Sequence, residues 1–393
     1  MNDSKMDQKT WYLSDAQLRN EFAKCEFCEE KPCMDKCPAD CSAADFIMAA
    51  RVFDRSDFRR SAAHIMKNNP LGGICGMVCP DKFCMAACVH RKFDTAVDIP
   101  AVQASIVRKA RESGGIPPFE TEKPNGRKVA VVGSGPAGLG CAAVLASRGY
   151  RVDMFEKEER LGGMVNLIPE HRLDRKMLQE DLDFALSLGN INVRLNTAVD
   201  DPEILLGQGY DAVMTAAGLC EPIMLGLDNE KLTLSGLEYL ARPERYEFKG
   251  KVAVVGGGAV AADCAVTAVK SGAAAVEIFA LETIGEMPLT PKELNELMEC
   301  GIEISGRTRL TALVREGDEL KGVETVKVSL PEGVKFNLRD IRDIDGTGQM
   351  RSDIGAVIVA IGARSSMARP KHPALFYAGD QVNGPTTVVE AVA

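Results

Sequence analysis

The sequence predicts a helical N-terminal domain followed by an α/β body that holds two dinucleotide-binding domains, the second inserted in the first. Two stretches predict the body. In KVAVVGSGPAGLG, residues 128–140, and KVAVVGGGAVAAD, residues 251–263, an apolar run passes through a glycine-rich turn into a small-residue helix. That order reads as buried parallel strand, tight turn and helix. The third observation is where cysteine falls: nine of the thirteen lie between Cys25 and Cys88, ahead of both stretches.

A chain of 393 residues can hold two or three domains, each with its own core. The formal charge of −9 and the lack of a basic block with interleaved aromatics argue against a nucleic-acid surface. No apolar run approaches a membrane span, and the opening MNDSKMDQKT holds no apolar signal core, so the expected location is the cytoplasm. Thirteen cysteines in such a chain do not suggest a disulfide framework. Cys141, Cys220, Cys264 and Cys300 read as small buried hydrophobes.

Residues 1–118 read as helical, with mixed charges and few β-branched runs. Their cysteines form two runs: Cys25, Cys28, Cys33, Cys37-Pro38 and Cys41, then Cys75, Cys79-Pro80, Cys84 and Cys88. Closely spaced thiolates can surround one soft metal centre. A Cys-Pro pair closing such a run is a ferredoxin habit, in which the last cysteine serves the other cluster. Two [4Fe-4S] clusters need eight ligands. A structural zinc site is the competing reading, since it too uses Cys-x2-Cys, although zinc sites usually take two compact pairs.

Residues 114–126, GGIPPFETEKPNG, read as a linker. In the first dinucleotide unit Gly133 tightens the turn, Gly135 lets the backbone approach a diphosphate, and Gly138 lets helix pack on strand. The diphosphate would sit at the N-terminus of the helix that begins at Pro136 and Ala137. A second strand, residues 151–155, ends at Glu156, where a carboxylate would accept ribose hydroxyls. Beyond Lys157, the pair Gly162-Gly163 before Met164 would let backbone pass close to a flat ring. A helix over 176–188 and a strand over 192–195 follow.

In the second unit Gly256, Gly257 and Gly258 precede Ala259 and Val260, and an alanine in the third small place still lets helix meet strand. The strand over 275–280 leads to Glu282, which would accept from ribose hydroxyls and repel an extra phosphate, so NAD(H) is expected over NADP(H). The run DIGAVIVAIG, residues 353–362, is expected to return the chain to the first domain. His64, His90, His171 and His372 are dispersed and suggest no metal site or triad.

Cys25-x2-Cys28-x4-Cys33-x3-Cys37-Pro38, Asn69-Pro70-Leu71-Gly72, Cys75-Gly76-Met77-Val78-Cys79-Pro80, Cys84-x3-Cys88 and Val97-Asp98-Ile99 before Gln103 closely resemble the N-terminal half of the dihydropyrimidine dehydrogenases and their bacterial NAD-dependent FAD subunit. They resemble the small subunit of bacterial glutamate synthase somewhat less closely. The resemblance runs from about Cys25 to the last residue. It implies a helical iron-sulfur domain followed by an α/β flavoprotein with two dinucleotide-binding domains, the NAD(P) domain inserted in the FAD domain. The implied domains are 1–118, 127–222, 223–352 and 353–393.

By position the resemblance gives one [4Fe-4S] cluster to Cys25, Cys28, Cys33 and Cys88, and the other to Cys37, Cys79, Cys84 and Gln103. Glutamate synthase relatives are typically acidic at the last position, so Gln103 favours the pyrimidine branch. Four residues separate Cys79 from Cys84 where that branch usually has five, and Cys41 and Cys75 are left as non-ligands.

For FAD the resemblance implies the turn Gly133 to Gly138 with Pro136 and Ala137, then Glu156, Lys157, Gly162, Gly163, Met164 and Arg172. Val199 and Gly218 follow, with Gly379-Asp380 for the ribityl chain and Thr386-Thr387 opening a helix under the flavin. For NAD(P) it implies residues Gly256 to Val260, Glu282, and Ala360, Ile361 and Gly362; the family commonly has aspartate where this chain has Ala259. The connection from Gly362 to Ala378 is short and the chain stops at Ala393, so a truncated or compact flavin domain is expected.

No Cys-x-x-Cys follows the first glycine-rich turn, which argues against a disulfide-reductase mechanism. Nothing resembles an FMN barrel or an amidotransferase. The expected activity is therefore oxidation of NAD(P)H, with electrons passing by FAD and the clusters to a partner. Expected partners are an FMN-type pyrimidine dehydrogenase subunit, a glutamate synthase large subunit, or a ferredoxin-like carrier. An inactive scaffold that keeps the fold is the non-enzymatic alternative.

Overall fold

The structure is a computed structural model that describes residues 11–331 and 334–393; the opening segment read above for a signal core lies outside them. The chain divides into two compact units, Met1–Leu219 with Ser365–Ala393, and Cys220–Arg364.

The first unit begins with helices Asp15–Ala23, Ala43–Ala50, Arg55–Asn68, Gly72–Val78 and Ile99–Glu112. Ser14, Ser42, Asp54 and Asp98 start four of them by accepting backbone N–H groups that the first turn leaves unpaired. Phe58, Ala62, Ile65 and Met66 recur at helical spacing on Arg55–Asn68, and that stripe packs with Leu18, Phe46, Ile47 and Ile106.

A five-stranded sheet completes this unit, in the order Leu375–Tyr377, Ala212–Thr215, Lys128–Val132, Arg151–Phe155 and Ile191–Arg194. All its pairs are parallel. Parallel strands are covered on both faces, which is why Val129 to Val132 are all apolar and buried. Helix Pro136–Ser147 packs against Arg175–Leu186 and Val388–Val392. The helix expected over 176–188 ends at Leu186, and Gly189 then turns the chain at φ 152.

The second unit holds a parallel sheet in the order Leu234–Ser235, Ile354–Val359, Lys251–Val255, Ala275–Phe279 and Glu303–Ser305. A long antiparallel pair, Thr308–Glu316 and Glu319–Ser329, adds a ribbon. Here one expectation needs correction. Residues 353–362 do not return the chain to the first domain: Ile354–Val359 pairs with Leu234–Ser235 and Lys251–Val255, so the return comes after Arg364. An apolar run suits either sheet, and only the pairing decides. The scattered cysteines also differ from expectation, for Cys264 is buried while Cys141, Cys220 and Cys300 are only partly so. Among the described residues no helix is long and apolar enough to cross a membrane.

Candidate cofactor sites

The first cysteine group surrounds a cavity. Cys25 and Cys28 leave the first helix, Cys33 sits in the short helix Pro32–Asp35, and Cys88 follows the short helix Cys84–Ala87. All four line a small pocket that Ala43, Ile47, Val97 and Ile99 make apolar. Burial pushes the Cys25 thiol up to about 11 and raises Cys33 as well.

The second group is denser. Cys41 and Cys75 share a small core with Val389, and Cys37, Cys79, Phe83, Val388 and Val392 pack against it. Cys84 is buried in the core against which Cys25, Cys33 and Cys88 pack. Burial lifts Cys75 to about 12 and raises Cys79 and Cys84 further. Cys37 moves the other way, its thiol lowered chiefly by the neighbouring Cys41, whose own thiol donates to the Ile65 carbonyl at 3.8 Å.

The thiols that burial raises stay protonated unless a cation takes their charge, and iron does so on ligation. Among the described residues no three His, Cys, Asp or Glu side chains converge as a single metal ion requires. A cubane instead takes thiolates spread around it, as they are at the cavity of Cys25, Cys28, Cys33 and Cys88. The donor set thus fits iron-sulfur clusters. Gln103, buried on Ile99–Glu112, donates its Nε2 to the carbonyl of Gly72 at 2.6 Å, at the start of the helix that leads to Cys79.

The flavin-side residues converge from four parts of the chain. Gly133 turns at φ 98, and a Cβ there would lie 2.4 Å from the Ala216 carbonyl oxygen. A Cβ on Gly138 would lie 2.0 Å from the Gly133 oxygen, whereas one on Gly135 would meet no protein atom within 4 Å. So the first and third glycines serve packing, and the second leaves backbone open to a ligand. Gly379 abuts Ala137, and the Gly162 N–H donates to the Ser134 carbonyl at 3.1 Å, which brings Gly162-Gly163 onto the turn. These contacts build a cradle that fits a dinucleotide.

Glu156 is buried, and one of its oxygens accepts from the Ser134 N–H at 2.9 Å and hydroxyl at 2.5 Å. Its other oxygen accepts from the Glu158 N–H at 2.9 Å. A carboxylate has further lone-pair sites, so this pins Glu156 without exhausting it. Asp380 accepts from the Thr386 N–H at 3.2 Å and from its hydroxyl, and Thr387 caps Val388–Val392. Lys157 and Met164 are exposed, Arg172 and Gly218 are half-buried, and Val199 packs beside Phe155 and Tyr210.

Sequence reasoning missed Gln381. It is 6% exposed, and its Oε1 accepts the Ala217 N–H at 3.2 Å. Its Nε2 is buried with no hydrogen-bond partner, so an amide donor is left for a ligand beside the flavin-side turn. The only signal was an amide directly after Gly-Asp.

In the second unit Gly256 turns at φ 139, with its Cβ position 2.3 Å from the Ala360 oxygen. Gly258 is the open one, and Ala261 fills the third small place, fully buried. A Cβ on Gly257 would come 2.6 Å from a carboxylate oxygen of Glu282, so that acid faces the turn. Ala259 and Val260 open helix Ala259–Lys270, Ile361 is exposed, and Gly362 lies by Ile223. This cradle fits a second dinucleotide.

Fold and sites together define an oxidoreductase that uses NAD(P)H, FAD and [4Fe-4S] clusters. Residues 127–393 match the pyridine nucleotide-disulphide oxidoreductase model, and the chain belongs to that family. Residues 2–115 match the dihydropyrimidine dehydrogenase domain II, 4Fe-4S cluster model. The NADPH-Fe(3+) oxidoreductase subunit beta of Geobacter sulfurreducens is 32% identical over 84% of this chain, which spans about 50% of that protein's length. The NAD-dependent dihydropyrimidine dehydrogenase subunit PreT of Escherichia coli is 28% identical over 98% of this chain and 94% of its own. Among solved structures, a 2-naphthoyl-CoA reductase shares the fold at TM-score 0.53 and 20% identity, over 75% of this chain and 43% of its own.

Proposed function

We propose that this chain is the electron-input subunit of a larger cytoplasmic reductase, oxidising NADH and delivering electrons to a partner that reduces uracil or thymine to the dihydropyrimidine. One observation carries the reading. Cys37, Cys41, Cys75 and Cys79 share a core with Val388, Val389 and Val392, on the helix that Thr387 opens at the flavin cradle. The second thiol group thus adjoins the flavin site, and Cys84, five residues beyond Cys79 in the chain, is buried in the core against which the first group packs. When bound, FAD would supply the switch between two-electron hydride chemistry and single-electron release, and the clusters would supply one-electron acceptors.

The chain's own part is position. The two glycine turns bind the diphosphates, Glu156 and Glu282 orient the adenosine riboses, and Asp380 holds the ribityl chain. Cys25, Cys28, Cys33 and Cys88 hold one cluster, and Cys37, Cys79, Cys84 and Gln103 the other. Glu282, set against Gly257, supports NADH over NADPH.

The test is an anaerobic titration with NADH that follows flavin and cluster bleaching, with uracil consumption measured with and without an FMN-type partner subunit. Bleaching of both chromophores with uracil turnover only in the presence of the partner is expected. Cofactors that stay oxidised under NADH, or uracil reduction by the chain alone, overturn the proposal.

A further inference from the structure

Strand Glu303–Ser305 pairs with Ala275–Phe279 in parallel, so the residues that leave their C-terminal ends emerge side by side. From one end comes the loop bearing Glu282, and from the other comes Arg307. Arg307 stands at φ 50, and its N–H donates to the Glu282 carbonyl at 3.1 Å. Its guanidinium donates from Nη1 to the Leu281 carbonyl at 2.9 Å and from Nη2 to Glu286 Oε1 at 2.9 Å. Glu286 Oε2 lies 2.8 Å from the same Nη2 and also accepts from the Thr283 N–H at 2.9 Å and hydroxyl at 2.8 Å.

We infer that Arg307 and Glu286 form a second determinant of nucleotide choice: Arg307 is a cation placed where a nucleotide 2′-phosphate would lie, and Glu286 keeps it engaged elsewhere. The inference rests on the reading that Glu282 faces the adenosine ribose. A 2′-phosphate reaching this loop meets the Glu282 carboxylate first. The fork-shaped donor that would suit it is already paired with Glu286 and Leu281. NADPH is thus opposed twice, once by repulsion and once by withholding its natural partner. Neither device alone is complete, since removing the Glu282 charge leaves Arg307 still neutralised.

The test uses the FAD-loaded, cluster-bearing protein and two probes, 2′,5′-ADP and 5′-AMP, with affinities measured by calorimetry. Glu282→Gln should narrow the discrimination between the probes; if it does not, the ribose reading itself fails. Adding Glu286→Gln should strengthen 2′,5′-ADP binding by about tenfold further, the worth of one charge-assisted hydrogen bond, and leave 5′-AMP unchanged. Adding Arg307→Ala to that pair should remove the gain, whereas Arg307→Lys should keep part of it. The inference is overturned if Glu286→Gln shifts both probes equally, as a merely loosened loop would, or if the gain survives Arg307→Ala. The kcat/KM ratio of NADPH to NADH should follow the same order across the variants.

Discussion

Arg111→Met should damage this protein more than Asp181→Asn, although the two side chains are partners. Asp181 is fully buried on Arg175–Leu186 and accepts the Ile74 N–H at 2.7 Å, at the start of the helix Gly72–Val78 that leads to Cys79. Arg111 donates to it from Ile99–Glu112 and also reaches Glu180 at 3.1 Å. Burial pushes the Asp181 carboxyl up from 3.8 to about 6, against the pull of Arg111 and the N–H groups of Ile74 and Gly73. Removing Arg111 strands a buried carboxylate, at a cost of about 3–5 kcal/mol. Removing the Asp181 charge leaves Arg111 with Glu180, at a cost of roughly 1–2 kcal/mol.

With about 2–4 °C per kcal/mol for a unit of this size, Arg111→Met should melt about 10 °C lower, and the double variant should recover much of that. The pH dependence has a definite sign. The folded state holds the Asp181 proton more tightly than the unfolded chain, so this group's stabilisation is fullest in acid and falls as pH rises from about 4 to about 6. Asp181→Asn should flatten that slope, and the defect of Arg111→Met should grow with pH. Thermal unfolding followed by circular dichroism and by loss of cluster colour reads both effects. Equal melting of the two single variants, or simple additivity in the double, would refute the argument.

Two further outcomes concern the flavin cradle. Gly138→Ala places a Cβ 2.0 Å from the Gly133 oxygen and should abolish flavin retention, so the purified variant should keep its iron and lose its flavin absorbance. Gln381→Glu keeps an acceptor for the Ala217 N–H and removes the donor, so FAD affinity near neutral pH should fall about tenfold and recover as the carboxyl is protonated; an unchanged affinity would assign Gln381 a structural role alone.

Both strand-turn-helix units were legible because their signals are local. An apolar run, three small residues at fixed offsets and an acid after the next strand all lie within one short window, and Val129, Val252 and Glu282 stand as that pattern requires. What escaped depends on contacts between distant residues. Ile354–Val359 looks alike whichever sheet takes it, and pairing with Lys251–Val255 decides. Arg111 and Asp181 are 70 residues apart, and neither sits in a motif. Arg307 reads as an ordinary loop charge until the strand pairing sets it beside Glu282. The spacing of the cysteines sets them apart in the sequence, but only packing shows that Cys41 is buried with Cys75 and donates to the Ile65 carbonyl.

The helix Gly72–Val78 has a consequence for how such enzymes can be recombined. Side chains added at its glycines would strike Ile65 at 2.5 Å from Gly72, Met177 at 2.2 Å from Gly73 and the Ala104 backbone at 2.5 Å from Gly76. Two of those neighbours belong to the cysteine-rich domain and one to the flavin domain. The seam between them is therefore as tight as an interior. Grafting this cysteine-rich head onto another flavoprotein would require transplanting Arg175–Leu186 and Val388–Val392 as well, since a cut at the linker passes through one shared body.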